Sequence, residues 1–289
     1  MRDDVHIPGQ TAPLHVPADA LPALRLLNRQ GGVLAMLTGV EGRFFRAPGA
    51  TIAITGDGVL GGLSGGCVEG DIAIHARRMR LGDPAITLRY GAGSPYPDIA
   101  LPCGSGIEVT LAPVATGALR GPLAEIRARR ASMLGLAGLP PARIVPPLRI
   151  AIFGDGDASG GLARLARAVG MTVIRPDRPH AAQFDRRTAV ALLHHDHDHE
   201  FPALNAALAS DAFWIGAQGS HAAHQARRAA LIAAGWTNGD LARIHGPAGL
   251  IPRSREAGTL AVSLLAAIVA AAQDLDATTA PKSQPAASP

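Results

Sequence analysis

Two cysteines, each set among glycines, are the residues of this chain best suited to chemistry. Cys67 follows Gly65 and Gly66, and Cys103 precedes Gly104. A structural cysteine behaves as a small core hydrophobe, whereas glycine neighbours let backbone N–H groups and a thiol approach a bound group closely. We therefore predict that both cysteine loops belong to a functional site. Without a C-x-x-C pair the spacing is not a zinc pattern, and a disulfide would require the two loops to meet.

The first cysteine loop also carries a candidate acid/base group, Glu69. Cys67 directly precedes a predicted helix over residues 68–81. Because a helix N-terminus favours the thiolate, we expect Cys67 to be the more nucleophilic thiol. We expect Cys103 to be the more accessible soft ligand. Cys67, Glu69 and Cys103 are thus the candidate catalytic residues, and the glycines beside the thiols are candidate binding residues.

A second glycine loop has the pattern of a phosphate-binding turn. Gly154 and Gly156 follow an apolar strand and precede a predicted helix, and Asp177 lies 21 residues after Gly156. In a dinucleotide fingerprint the first glycine makes the tight turn and the second admits a phosphate to the backbone. Ser159 is small enough to replace the third glycine. The free N–H groups at the helix N-terminus would then hold the anion.

The histidine-rich run over residues 194–200 leaves two interpretations open. It could chelate a metal, or it could be a solvated loop at the end of the predicted strand over residues 189–193. Ligands of open α/β sheets bind beyond the carboxyl ends of the strands. We therefore assign His195, Asp196, Gly219 and Ser220 to the binding crevice and assign no metal ligand.

Alternating strands and helices predict an α/β scaffold for these loops. We expect an N-terminal mixed α/β domain with the glycine-rich cysteine loops over residues 1–115. A helical and proline-rich linker would cover 116–147. A C-terminal Rossmann-like, doubly wound parallel sheet would cover 148–275, and the tail 276–289, rich in Ala, Thr, Pro and Ser, would be disordered.

The composition limits which cellular compartment and which classes of binding partner we expect for this chain. The chain has 289 residues, 17% of them charged, with a net charge of +4, and Lys282 is its only lysine. Its arginines are scattered, so no nucleic-acid-binding stripe is predicted. No signal peptide is evident, and the apolar stretch 257–272 is shorter than the roughly 20 residues of a membrane span. We expect a cytoplasmic protein without a membrane partner. The apolar final helix would either pack on its own sheet or form a homodimer.

Several motifs, in the right order over residues 32–271, resemble the XdhC/CoxI family of xanthine dehydrogenase accessory proteins. They comprise Ala47-Pro48-Gly49-Ala50, Gly62-Leu63-Ser64-Gly65-Gly66-Cys67-Val68-Glu69-Gly70, Leu101-Pro102-Cys103-Gly104-Ser105-Gly106, His195-Asp196, Trp214-Ile215-Gly216-Ala217-Gln218-Gly219-Ser220 and Leu241-Ala242-Arg243-Ile244-His245-Gly246-Pro247-Ala248-Gly249-Leu250.

The resemblance implies a cofactor chaperone more than a catalyst. Family members bind the molybdenum cofactor, protect it during sulfuration and help to insert it into a molybdenum hydroxylase such as xanthine dehydrogenase. A cysteine desulfurase is a further implied partner. Molybdopterin carries a phosphate, or a pyrophosphate in its dinucleotide form, which suits Gly154, Gly156 and Ser159. Its molybdenum and dithiolene are soft, which suits thiolates.

The chain also departs from the family pattern. Phe44-Phe45-Arg46 stands where the family has a Pro-Arg pair, and Ile251 stands where it has an acidic residue. The departures indicate a divergent member with a different client enzyme. Independently of the resemblance, the residues leave two other functions open. One is an NAD(P)- or flavin-dependent oxidoreductase that uses the Gly154 loop and Asp177. The other is a metal-binding or thiol redox-switch protein.

Overall fold

A computed structural model describes residues 12–95, 101, 103–194 and 197–277. Residues 278–289, most of the expected disordered tail, lie outside this description. The chain divides into two units, Met1–Pro146 and Pro147–Pro289. The predicted α/β class is confirmed in both units. No described helix combines the length and the apolarity that crossing a membrane would require.

The described residues of unit 1 form a mixed α/β unit with eight strands and three α-helices. Its elements are β1 (Leu14–Val16), α1 (Leu21–Gln30), β2 (Gly32–Glu41), β3 (Thr51–Thr55), β4 (Gly58–Gly61), α2 (Glu69–Arg78), β5 (Ile86–Gly91), β6 (Gly106–Val114), α3 (Arg120–Arg127), β7 (Ser132–Leu134) and β8 (Ala142–Ile144).

An antiparallel five-stranded sheet in the order β4-β3-β2-β6-β5 forms the centre of unit 1. Its central strand β2 is apolar on both faces because both faces are covered. Val33, Ala35 and Leu37 pack in the cluster with α2, while Leu34 and Met36 pack in the cluster with α1. Side chains alternate across a strand, so this continuous apolar run supplies two separate cores.

The segment 116–147 was expected as a linker, but its residues 116–146 instead complete unit 1. β8 pairs in parallel with β1 and antiparallel with β7, which makes a three-stranded sheet. Leu134, Ala142 and Ile144 are buried against α1. Of the prolines that suggested a linker, Pro140 and Pro141 lie between β7 and β8, and Pro146 and Pro147 follow β8. The apolar residues of these short strands are too few to be recognised as strands by alternation.

Unit 2 is built on a five-stranded sheet in which every pair of neighbours is parallel. Its elements are β9 (Arg149–Phe153), α4 (Asp157–Ala168), β10 (Thr172–Ile174), β11 (Thr188–Leu192), α5 (His197–Leu208), β12 (Trp214–Ala217), α6 (His221–Ala233), α7 (Asn238–Leu241), β13 (Ile244–His245) and α8 (Ala257–Ala277).

The strand order β10-β9-β11-β12-β13 places a topological switch point between β9 and β11. From β9 the chain moves outward to β10 and then returns to the other side of β9. Ligands of such sheets bind outside the carboxyl ends of the strands at this point. The glycine loop after β9 therefore lies where the fold favours a ligand.

Helix α8 packs on the sheet of its own unit. Leu264 and Ile268 are fully buried in a cluster with Ile150, Ile152 and Leu162, which places α8 beside α4. Of the two interpretations of this apolar helix, the structure supports packing within the chain.

Candidate functional site

Both cysteine loops lie at the same end of the strands of the unit 1 sheet. Residue pairing aligns Gly61, at the end of β4, with Ile52, near the start of β3. It also aligns Gly106, at the start of β6, with Glu41, at the end of β2. We call this side, where β2 and β4 end and β3 and β6 begin, the cysteine edge. β4 and β6 are three strand spacings apart, about 14 Å across the sheet, and the start of β6 lies six residues further along β2 than the end of β4, about 20 Å along the strands.

The Cys67 loop is folded around the carboxylate of Glu69. One Glu69 oxygen accepts backbone N–H bonds from Leu63 at 2.9 Å and Ser64 at 2.7 Å. The other accepts from the Gly66 N–H at 3.0 Å, from the Val68 N–H at 3.3 Å and from the Ser64 hydroxyl. Ser64 Oγ also accepts from the Val68 N–H at 3.0 Å. A glycine-rich loop without regular structure is thus held at many points.

These hydrogen bonds suit a positioning role for Glu69 better than proton transfer. Partial burial raises the pKa of Glu69, but the hydrogen bonds from Ser64 and Leu63 outweigh it and lower the pKa from 4.5 to about 2. A general acid or base works best with a pKa near the operating pH. Glu69 instead fixes the loop that presents the Cys67 thiol, which is free and exposed.

Cys103 sits on a tight turn that is anchored on both sides. The Gly104 N–H donates to the Leu101 carbonyl at 2.9 Å, and Leu101 is buried in the core beside α2. The Ser105 hydroxyl donates to the Arg43 carbonyl at 2.7 Å. The Cys103 thiol itself is free and exposed, so the turn presents it to solvent.

Ser105 also acts on the thiol. Its hydroxyl and its backbone N–H lower the pKa of Cys103 below the ordinary thiol value of 9.0. One hydroxyl proton cannot serve the thiolate and the Arg43 carbonyl at once, so the two acceptors share it. The thiolate, the form that binds metals and acts as a nucleophile, is therefore favoured at Cys103.

Unit 2 carries a cleft of about 270 Å³ at its switch point. Gly154 and Gly156 both have the positive φ that favours glycine, 104° and 108°. A Cβ on Gly154 would lie 2.6 Å from the Leu193 carbonyl carbon at the end of β11, whereas a Cβ on Gly156 would meet nothing within 4 Å. Gly154 thus permits close packing of two strands, and Gly156 leaves open space in the cleft.

Ser159 places a buried hydroxyl at this cleft. It lies in the first turn of α4, is 1% exposed and lines the cleft. Its Oγ has no hydrogen-bond partner among the described residues. A buried polar atom without a partner is costly, and a bound anion would supply one. Together with the free N–H groups at the start of α4, this favours an anion at the cleft.

The other binding residues predicted in unit 2 are not found at this cleft: they either lie elsewhere or fall outside the described residues. Asp177 is exposed beyond β10, and Ser220 caps α6 by accepting the Ala223 N–H at 3.1 Å. Neither they nor Gly219 are among the described residues that line the cleft. His195 and Asp196 lie outside the described residues, as does part of the histidine-rich run. Within the described part, no group of three or more His, Cys, Asp or Glu is placed to hold a metal ion.

The cleft includes Gln218, from the segment expected to face the crevice, and three residues that the sequence did not indicate. Ser254, Arg255 and Glu256, just before α8, form one wall, and Gln218 forms another. Arg227, 5% exposed, fixes this second wall by donating to the Gln218 carbonyl at 2.9 Å and to Glu200 at 3.0 and 3.1 Å. The only available sequence signal was an arginine four residues before Leu231 on the buried stripe of α6.

A larger groove, about 500 Å³, lies at the opposite side of the unit 1 sheet. Gly32, Thr55 and Val114, at the other ends of the strands, line it together with Arg77 of α2 and Leu81, which follows α2. Among its described lining residues there is no thiol, carboxylate or imidazole. Size alone would favour this groove, but the chemistry favours the cysteine edge and the cleft.

Comparisons with known proteins agree across both units. The model of the XdhC and CoxI family matches residues 26–91, and that of the XdhC Rossmann domain matches residues 150–268. The molybdenum cofactor insertion chaperone PaoD of Escherichia coli (strain K12) is 34% identical, over 84% of this chain and 84% of its own length. A solved Bacillus halodurans structure, described as a xanthine dehydrogenase, shares the fold. Its TM-score is 0.71 at 19% identity, covering 94% of this chain and 98% of that one. The chain therefore belongs to the XdhC and CoxI family.

Proposed function

We propose that this protein is a chaperone of the molybdenum cofactor, which binds the cofactor and assists its insertion into a molybdenum enzyme. The observation that carries the proposal is the pair of free, exposed thiols presented on anchored loops at one sheet edge. The name of PaoD, a molybdenum cofactor insertion chaperone, supports the same role.

In unit 1, Cys67 and Cys103 would hold or shield the molybdenum end of the cofactor. Thiolates are soft ligands and suit a metal bound by a dithiolene. Glu69 and Ser105 would act by holding the two loops in place, while Gly65, Gly66 and Gly104 leave the approach to the thiols free of side chains. Gly65, Gly66 and Gly104 have open space where a Cβ would stand.

In unit 2, the cleft would bind the phosphate of molybdopterin or the pyrophosphate of its dinucleotide form. Gly156, the first turn of α4 and the hydroxyl of Ser159 supply hydrogen-bond donors at the cleft. Asp155, Asp157 and Glu256 add negative charge to its wall, whereas Arg255 adds positive charge. Backbone donors would therefore carry most of the anion binding, a balance that suits a cargo which must be released.

The finer part of the proposal concerns the reaction sequence. We infer that the bound cofactor receives its sulfur from a cysteine desulfurase and then passes to a xanthine dehydrogenase-type hydroxylase. Cys103→Ala would weaken cofactor binding by about 10–100-fold, the range seen when a supporting partner of a metal ligand is lost. Cys67→Ala would mainly impair sulfur transfer or delivery.

Reconstitution under anaerobic conditions tests this function. Cofactor-loaded wild-type protein is mixed with the cofactor-free form of a molybdenum hydroxylase, and the activity gained by the hydroxylase is measured. We expect activation by wild type, less by Cys67→Ala at equal loading, and poor loading of Cys103→Ala. Activation that is equal with and without the protein would contradict an insertion role.

The oxidoreductase alternative has less structural support. Asp177, the acidic residue that follows β10, is exposed and is not among the described residues lining the cleft. Titration with NAD(P) separates the two functions, since micromolar binding with substrate turnover would favour the oxidoreductase.

A further inference from the structure

Phe45 presents an aromatic ring to solvent at the cysteine edge. It lies in the loop between β2 and β3, which starts from that edge, and it is 69% exposed. Only 3% of the residues of this chain are aromatic. Its neighbour Phe44 packs against the core beside α2, with the two rings 5.0 Å apart and tilted by 44°. A scarce residue type is thus placed at the surface, on the side of the sheet from which the two thiol loops extend.

Its exposure does not come from a loosely held loop. On one side of Phe45, the Arg43 carbonyl accepts the Ser105 hydroxyl at 2.7 Å and Phe44 is held by the core. On the other side, Arg46 donates to Asp19 at 2.7 Å, and the Gly49 N–H donates to the Leu37 carbonyl at 2.8 Å. The chain on both sides of Phe45 is therefore anchored, and the Phe45 ring lies exposed between these anchors.

The same contacts connect this ring to a thiol. Ser105, which anchors Arg43, lies two residues after Cys103, and Phe45 lies two residues after Arg43. One hydrogen bond therefore joins the loop that carries Phe45 to the turn that carries Cys103. A ligand that has a metal or sulfur at one end and a planar ring nearby could use both groups.

We propose that Phe45 is a stacking platform for a planar heteroaromatic ring, the pterin of the molybdenum cofactor. The inference rests on the proposed function and assigns a new contact to it. Phe and Tyr rings stack on flat heterocycles because each presents a large polarisable face at little conformational cost. The alternative occupant, an apolar patch of a protein partner, is separated by the test.

The experiment uses pterin itself, without metal, as the probe. Quenching of pterin fluorescence gives its affinity for the wild-type chain and for Phe45→Ala, Phe45→Leu and Phe45→Tyr. Loss of one stacked ring should weaken binding about tenfold or more. We expect that loss in Phe45→Ala, a large part of it in Phe45→Leu, and near wild-type affinity in Phe45→Tyr.

Leu81→Ala is the matched control. Leu81 is 71% exposed but lines the groove at the opposite side of the same sheet. The Leu81→Ala variant should leave pterin binding unchanged, and both Leu81→Ala and Phe45→Ala should have the melting temperature of the wild type. The inference would be overturned if wild type and Phe45→Ala bound pterin equally well, or if Phe45→Ala and Leu81→Ala lost the same affinity. It would also be overturned if a wild-type protein that holds the cofactor did not bind pterin.

Two outcomes separate this inference from the function beneath it. If wild type fails to bind the complete cofactor, the proposed function itself fails. If wild type and Phe45→Ala bind the cofactor equally but only Phe45→Ala fails to activate the hydroxylase, Phe45 contacts a protein and the stacking inference is wrong.

Discussion

Glu69 shows how a single carboxylate can order a loop that glycine would otherwise leave flexible. Four backbone N–H groups and one hydroxyl converge on it from residues 63–68. Hydrogen bonds to a charged acceptor are stronger than those between neutral groups. The thiol of Cys67 therefore owes its position to a residue two places further along the chain.

Replacing this acceptor should destabilise the protein in a pH-dependent way. The pKa of Glu69 is about 2 in the folded chain against 4.5 ordinarily, so its contribution is present above pH 4.5 and is lost as the pH falls towards 2. We expect Glu69→Gln to lower the free energy of unfolding by about 1–2 kcal/mol at neutral pH, given partial exposure. Urea unfolding from neutral to acidic pH should show the two proteins converging. A difference that stays constant with pH would contradict the positioning role.

Cys103 should react with alkylating reagents at a lower pH than an ordinary thiol. Ser105 lowers the pKa of Cys103 by hydrogen bonding to it, so Ser105→Ala should raise that pKa and move the pH midpoint of alkylation upward. The rate is measured in a Cys67→Ser background, so that only one thiol reacts. In the matching Cys103→Ser background, Ser105→Ala should leave the profile of Cys67 unchanged. No shift of the Cys103 midpoint would show that Ser105 only anchors Arg43.

Ser159 separates a ligand-binding role from a packing role. Its hydroxyl is buried without a described partner, so Ser159→Ala should leave the melting temperature unchanged or raise it. The same variant should weaken pyrophosphate binding about tenfold, the effect of losing one hydrogen bond to a charged group. Calorimetry measures both quantities. Early melting with unchanged affinity would identify Ser159 as a packing residue.

At the scale of elements, the loop between β9 and α4 uses its two glycines differently. Gly154 brings this loop against the end of β11, and Gly156 opens the start of α4 towards the cleft. Both have a positive φ, which costs other residues about 1–3 kcal/mol. Because this strain is common to both positions, the effect of a substitution depends on what the new Cβ contacts.

Alanine at these two positions should therefore give different results. Gly154→Ala adds a clash with the Leu193 carbonyl to the backbone strain, and we expect it to destabilise unit 2 by more than about 3 kcal/mol. Gly156→Ala bears only the strain, so it should fold but lose anion binding where its methyl enters the cleft. Thermal melting and pyrophosphate titration of both variants check this. Equal destabilisation would contradict the division of roles.

Elements with strong local patterns were predictable from the sequence, and their partners were not. The strand before Gly154 and the helix after it followed from an apolar run and a glycine pair, because both signals are local. The wall formed by Ser254, Arg255 and Glu256 depends on α8 packing beside α4, which no local pattern encodes. Likewise β1 and β8 pair across more than 120 residues, so the segment 116–147 read as a linker.

At the scale of the whole molecule, two units of different chemistry share one chain. Unit 1 carries the two exposed thiols, and unit 2 carries the anion cleft. The thiols of unit 1 suit the soft end of the molybdenum cofactor, and the donors of the unit 2 cleft suit a phosphate group.

The central claim is that this chain binds the molybdenum cofactor, and co-elution tests it most directly. Purified protein is mixed with excess cofactor without oxygen and passed over a gel-filtration column, and molybdenum and pterin are measured in the protein peak. We predict about one molybdenum and one pterin per chain for wild type, with both reduced together in Cys103→Ala. A wild-type peak that carries neither molybdenum nor pterin would contradict the account.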